Sequence, residues 1–221
     1  MSSQMIWQLI NATWQTVEMV FVSCFVAVML GALLGILLLI TKKNHIFPGV
    51  VLNRTLAMIV NGLRSIPFII LMVAITPFTR FVVGTSIGTV AAMVPLAISA
   101  IPFFARIVES AMLEVPNGLL EASQAMGATP KQVIIKVLIP EAWPGIIRGI
   151  TLTLITLVGY SAMAGAIGGG GLGDLAIRYG YQRFDVVVML VTIAILIVMV
   201  QLLQWCGDIA VKHYSHEGDH V

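Results

Sequence analysis

The chain has 221 residues, of which 59% are hydrophobic and only 10% charged, with a formal net charge of +2. Its mean hydropathy is +1.01, whereas soluble domains carry about 25% charged residues. So few polar side chains cannot cover a water-soluble fold, which excludes a soluble enzyme, a disordered tail and a nucleic-acid-binding domain and places the chain in a membrane.

The first segment, residues 1–17, carries Trp7 and Trp14, which suit the membrane–water interface. No basic stretch or small-residue cleavage site precedes the first apolar run, so no signal peptide is expected to be removed. A helix needs about 20 apolar residues to cross the hydrocarbon, and in lipid each crossing must be helical to satisfy its backbone. Five runs meet the requirement: residues 19–40, 56–79, 81–105, 149–173 and 186–207. The expected fold is therefore an all-α polytopic membrane protein with five spans.

Lys42, Lys43 and Arg54 follow the first span, and Arg106, Lys131, Lys136 and Arg148 lie between spans three and four. Lys212 stands in the tail, residues 208–221, while the opposite side has only Arg80, Arg178 and Arg183. Because Lys and Arg concentrate on the cytoplasmic side, the N-terminus is predicted outside and the C-terminus inside. Gly31/Gly35 and Gly84/Gly88 each form a GxxxG pair suited to close helix packing. Arg64 interrupts span two; it either snorkels to an interface or serves function. Pro67 and Pro77 are candidate breaks in the same span. Cys24 and Cys206 lie far apart in apolar runs, with no zinc or redox spacing.

The link between spans three and four, residues 106–148, is long for so small a chain. Pro116 can open a helix whose apolar Leu119, Leu120 and Met126 alternate with polar Glu121, Ser123 and Gln124. Gly127 can cap it in the left-handed conformation. Thr129-Pro130-Lys131-Gln132 then supplies an N-cap, an N1 proline and a capping-box partner, for a second helix expected to stop at Pro140. Such a rigid element suits either a docking partner or a seat on lipid head groups.

In span four, Thr153, Thr156, Tyr160 and Met163 recur at helical spacing along one face. That stripe either lines a pathway, with Met163 as an adaptable apolar plug, or glues helices through hydroxyls bonded to their own backbone. Glycines from Gly165 to Gly173 either bend or end this span. Beyond them Arg178, Tyr179, Tyr181 and Arg183 form a rim that meets an external protein or is simply solvated. The tail residues His213, His216, Glu217, Asp219 and His220 have metal-capable side chains but the composition of a mobile terminus, and no metal site is expected.

Glu121-Ala122-Ser123, then Gly127, then Val137-Leu138-Ile139-Pro140 resembles the EAA signature of type I ABC importer permeases, with both spacings kept. The departures are Ser123 for Ala, Val137 for Ile and Ile139 for Leu. The stretches from Arg64, from Glu121 and from Ser161 resemble the methionine-importer branch. The resemblance implies a type I ABC permease fold and a homodimer whose two copies form the pathway for L- or D-methionine. It implies coupling to two ATP-binding cassette subunits through Glu121, Ala122, Ser123, Gly127 and Pro140, and delivery by an external substrate-binding lipoprotein. It places Met163, with Tyr160, Thr156 and Thr153, in the central helix of the pathway, and the whole in the inner membrane.

The chain has no engine of its own. A P-loop needs Gly-Lys-Ser/Thr at its end, and no Gly-Lys pair occurs anywhere in the sequence. No cofactor is expected here, ATP and magnesium belonging to the separate ATPase. The rival reading is a self-contained secondary transporter or small channel for an amino acid. It calls for intramembrane Asp, Glu or His, which spans one, three, four and five lack at their centres, and no internal repeat of the kind such carriers use is visible.

Overall fold

The computed structural model describes residues 3–43 and 47–215. Helix α1 (Ser3–Ile40) continues without a break from the tryptophan-bearing segment into the first span. At 1.5 Å rise per residue its 38 residues reach about 57 Å, well beyond the roughly 30 Å of hydrocarbon. Trp7 and Trp14 are exposed on the overhanging part.

The predicted second span is not one straight helix. It is built from α2 (Val50–Ser65), α3 (Phe68–Ala74) and α4 (Thr76–Val83), and α2 and α3 meet at 102°. The break lies at Ile66-Pro67, where both residues are extended. A proline disfavours helix in the residue before it, so α2 ends there. Gly84 and Gly88 then turn the chain at φ +82° and +102°, with open space where a Cβ would stand. This second GxxxG pair is a turn rather than a packing seam, and the third span starts at Thr89 instead of residue 81.

Helix α5 (Thr89–Leu113) runs parallel to α1 and forms the centre of the bundle. Gly31 and Gly35 make that approach close: a Cβ would lie 2.8 Å from the Ile101 carbonyl oxygen at Gly31, and 2.5 Å from that of Ala105 at Gly35. Ser23 donates to the Met93 carbonyl one layer away. Around this pair Met19, Cys24, Leu96, Leu157 and Val158 form one core cluster, and Leu39, Phe104, Val108, Met112 and Leu138 a second towards the other end.

Beyond α6 (Asn117–Ala125) and α7 (Pro130–Val133), α8 (Ile139–Ala164) returns antiparallel to α5. Pro140 does not stop the helix. A π-helical turn over Ile134–Leu138 joins α7 to α8, and the Ile139 N–H donates five residues back to Ile134. Widening the turn shifts the hydrogen-bond ladder just where proline lacks its N–H and crowds the preceding turn. Gly145 against Ala111 and Gly149 against Ile107 bring α8 close to α5.

Helix α8 ends at Ala164, earlier than the predicted 173, because Gly168, Gly170 and Gly171 adopt positive φ. The chain folds back through α9 (Gly171–Leu175), with Gly173 against Ala162. Gln15 and Thr16 of α1 accept from the Gly171 and Leu172 N–H groups, each at 2.9 Å, fixing this hairpin to the first span. Finally α10 (Val186–Ser215) lies antiparallel to α8, buried mainly along Val188, Thr192, Gly207 and Val211 and otherwise apolar and exposed. The tail residues His216, Glu217, Asp219 and His220 lie outside the described residues.

Candidate functional site

Helix α6 begins after extended Pro116 and ends in a glycine cap. Gly127 stands at φ +82°, its N–H donates to the Gln124 carbonyl, and the Ala128 N–H donates to Ser123. This pair of bonds is the Schellman arrangement, which satisfies the last helical carbonyls. The Thr129 and Gln132 capping box closes the start of α7. Local sequence thus sets a rigid helix, a sharp turn and a second helix, as expected.

The residues expected to couple the chain to an ATPase divide by face. Glu121, Ala122, Gly127 and Pro140 are exposed, whereas Ser123 is buried and donates to the Leu120 carbonyl at 2.8 Å. Ser123 thus faces its own bundle, and Leu120, whose carbonyl it bonds, packs against the layer of Val133, Leu138, Met112 and Val115. Glu121 has no hydrogen bond or ion pair among the described residues and projects free. Outward beside it stand Leu119 and Met126, the latter 82% exposed. Sequence patterning puts Met126 on the apolar side of α6, and the cap at Gly127 turns it outward.

The base of this platform is held by a charge network that sequence reading missed. Glu109 on α5 is only 4% exposed and pairs with Lys42, just after α1, at 2.9 Å, and with Arg106. Arg106 also donates to the Asn61 Oδ1 on α2 at 2.9 Å. Three helices are tied at the basic end by groups that hydrogen-bond one another, the condition for burying charge. The i,i+3 spacing of Arg106 and Glu109 is visible in sequence; the Lys42 and Asn61 partners, distant along the chain, are not.

On α8 the predicted stripe also splits. Thr153 is fully buried and its hydroxyl donates to the Gly149 carbonyl at 2.7 Å. Thr156 is half-buried and bonds Leu152 in the same way. Tyr160 stacks on Phe68 of α3, with ring centroids 4.7 Å apart and planes within 4°. Met163 is 49% exposed. The face α8 leaves open is rotated slightly from the predicted one and runs Leu152, Thr156, Gly159, Met163.

At the far rim Asp174 accepts from the Arg178 guanidinium through both oxygens, which raises the pKa of Arg178 above its usual value. Arg183 lies over the Tyr179 ring at 4.5 Å. Phe184 beside them is exposed and held at φ +56°, a conformation L side chains rarely adopt; no sequence signal marks it.

Residues 27–216 match the family model described as binding-protein-dependent transport system inner membrane component. The chain is 57% identical over 208 residues to the probable D-methionine transport system permease protein MetI of Vibrio cholerae, covering 94% of this chain and 92% of that protein. It is 56% identical over 165 residues to the D-methionine transport system permease protein MetI of Escherichia coli K12, covering 75% and 76%. Among solved structures it resembles a chain of the MetNI methionine ABC transporter in inward-facing conformations, with TM-score 0.95, 51% identity, and 97% and 99% of the two chains covered. An amino acid ABC transporter solved with histidines shares the fold at TM-score 0.73 and 21% identity, over 93% and 94%. With its α6 platform and all-helical bundle of four to five candidate membrane spans, the chain belongs to the binding-protein-dependent transport system inner membrane component family.

Proposed function

We propose that the chain is the inner-membrane permease subunit of an ABC importer for methionine, acting as a homodimer with two separate ATP-binding cassette subunits. One observation carries the reading. A firmly capped, exposed α6 projects from the basic end of a bundle that matches a methionine ABC transporter permease over almost its whole length.

In this reading the basic end is cytoplasmic, and Glu121, Ala122, Leu119 and Met126 enter a cleft on the ATPase. The rigid helix loses little entropy on docking. Ser123, Val133 and Leu138 fasten the platform to the foot of α5 and α8, so force on α6 reaches α8 through the continuous α7–π-turn–α8 rod. ATP-driven approach of the two cassettes then rocks the two α8 faces, and methionine delivered outside by a binding protein passes between Leu152, Thr156 and Met163 of the two copies. Tyr160 holds α3 against that face.

The test is uptake of labelled methionine into proteoliposomes containing the chain and its co-purified ATPase, with binding protein added outside. Uptake should require ATP and the binding protein, and other amino acids should compete weakly. Uptake that continues without ATP, driven by an ion gradient, overturns the reading in favour of a secondary transporter.

A further inference from the structure

Arg64 closes α2 with its guanidinium carbon 5.9 Å from the Phe103 ring. It opens into a wide-mouthed recess of about 430 Å³ between α2, α5 and α8, lined also by Arg106, Ile107, Glu114, Arg148 and Leu152, with Arg64, Glu114 and Arg148 exposed in the single chain. That volume falls in the range of small-molecule pockets, about 300–1,000 Å³. The three arginines differ in what they already hold. Arg106 is committed to Glu109 and Asn61. Neither Arg64 nor Arg148 has a carboxylate within ion-pair distance among the described residues, and Glu114 has no cationic partner there either. On its other flank Arg148 faces Asp208 and Lys212 across a second recess, and no pair closes there. The wall thus presents two uncommitted cations, one uncommitted carboxylate and an apolar floor of Ile107 and Leu152.

We propose that this cavity is a cargo site at the inner foot of the pathway: Arg64 and Arg148 hold the α-carboxylate of a zwitterionic amino acid, Glu114 its ammonium group, and Ile107 and Leu152 its apolar side chain. The proposal rests on the pathway reading above, because Leu152 belongs both to the cavity and to the open face of α8. Planar guanidinium groups grip a carboxylate through paired N–H donors. Charge in a span is uncommon and normally faces a cavity or a partner, so the cavity also accounts for Arg64. A phospholipid headgroup offers the same anionic chemistry, and the test separates the two.

The experiment measures L-methionine binding to the permease–ATPase complex without nucleotide. The complex is held in nanodiscs of phosphatidylcholine, with and without phosphatidylglycerol. Arg64→Gln and Arg148→Gln should each weaken binding about tenfold or more, the effect of losing a charge-assisted hydrogen bond. Arg148→Lys should lose less, and methioninol, which lacks the carboxylate, should not compete with methionine. Co-purification of the ATPase with each variant shows that the bundle is intact. Wild-type affinity in both glutamine variants, or no methionine binding by the wild type, overturns the proposal. So does a loss seen only with phosphatidylglycerol, which assigns the arginines to lipid. Labelling of Met163→Cys by a water-soluble thiol reagent, in a Cys206→Ser background, tests the pathway separately. If Met163→Cys labels and the arginine variants bind normally, the cargo site alone falls.

Discussion

Gly31, Gly35 and Glu109 decide how tightly the bundle closes. At Gly35 a Cβ would meet the Ala105 carbonyl oxygen at 2.5 Å, and backbone on both sides cannot move aside as a side chain could. Gly35→Leu should therefore destabilise the protein by about 3 kcal/mol or more, near the upper end for overpacking, seen as a lower melting temperature in detergent. Wild-type stability of that variant contradicts the packing seam. Glu109 acts by charge instead. Glu109→Ala strands Lys42 and Arg106 beside each other, and losing one partner of a buried pair costs about 3–5 kcal/mol. The lower end applies, because the Lys42 side chain is 34% exposed. Glu109→Ala should unfold earlier than wild type, and Lys42→Ala made together with it should restore part of the loss. Full additivity of the two substitutions contradicts the bridge.

At the scale of elements, the α6–α7 platform and its link to α8 should fail in separable ways. A Cβ placed on Gly127 would meet nothing within 4 Å, so the role of this glycine is conformational; Gly127→Val strains a left-handed residue without a clash. Ser123→Phe instead forces a large group into the buried layer below α6. Both should preserve membrane insertion yet lower methionine uptake several-fold relative to ATP hydrolysed, and Glu121→Lys should do the same if α6 docks as proposed, by reversing the free charge on its exposed face. Normal coupling in all three contradicts the docking assignment. The parts of this platform set by adjacent residues were legible in sequence: the Gly127 cap, the Thr129–Gln132 box, the helix start after Pro116. Pro67 was equally legible as a break, but the 102° angle depends on what α2 and α3 pack against. Pro140 misled because a proline stops a helix only if the ladder cannot change step, and the π turn before it changes that step. The Lys42–Glu109–Arg106–Asn61 network was hidden because its members meet only after α1, α2 and α5 are assembled.

For the whole molecule, the uncovered face of α8 is the feature that calls for a second copy. Leu152, Thr156, Gly159 and Met163 repeat at steps of four, three and four, the spacing of a helix seam, yet no element of the described residues lies on them. Thr156 turns its hydroxyl back to its own helix, which leaves the stripe smooth and weakly polar. A second copy placed with its own stripe opposite would bring two Met163 side chains together near the C-terminal end of α8, next to the glycine hairpin. The thioether is apolar enough to exclude water and flexible enough to part when the helices rock. The hairpin next to it is pinned to α1 through Gln15 and Thr16, so the hairpin end of the seam is anchored, while the end attached to α6 is the one the proposed function has driven. Met163→Ala removes most of the proposed plug without touching the anchors. In proteoliposomes it should raise passive methionine leak and ATPase activity in the absence of binding protein several-fold, while thermal stability stays near wild type because the side chain is half exposed in the single chain. Met163→Leu, which restores the apolar volume, should return both values towards wild type. Unchanged leak in the alanine variant means that the seal lies elsewhere along the stripe, and Leu152, which also borders the arginine cavity, is the next position to truncate.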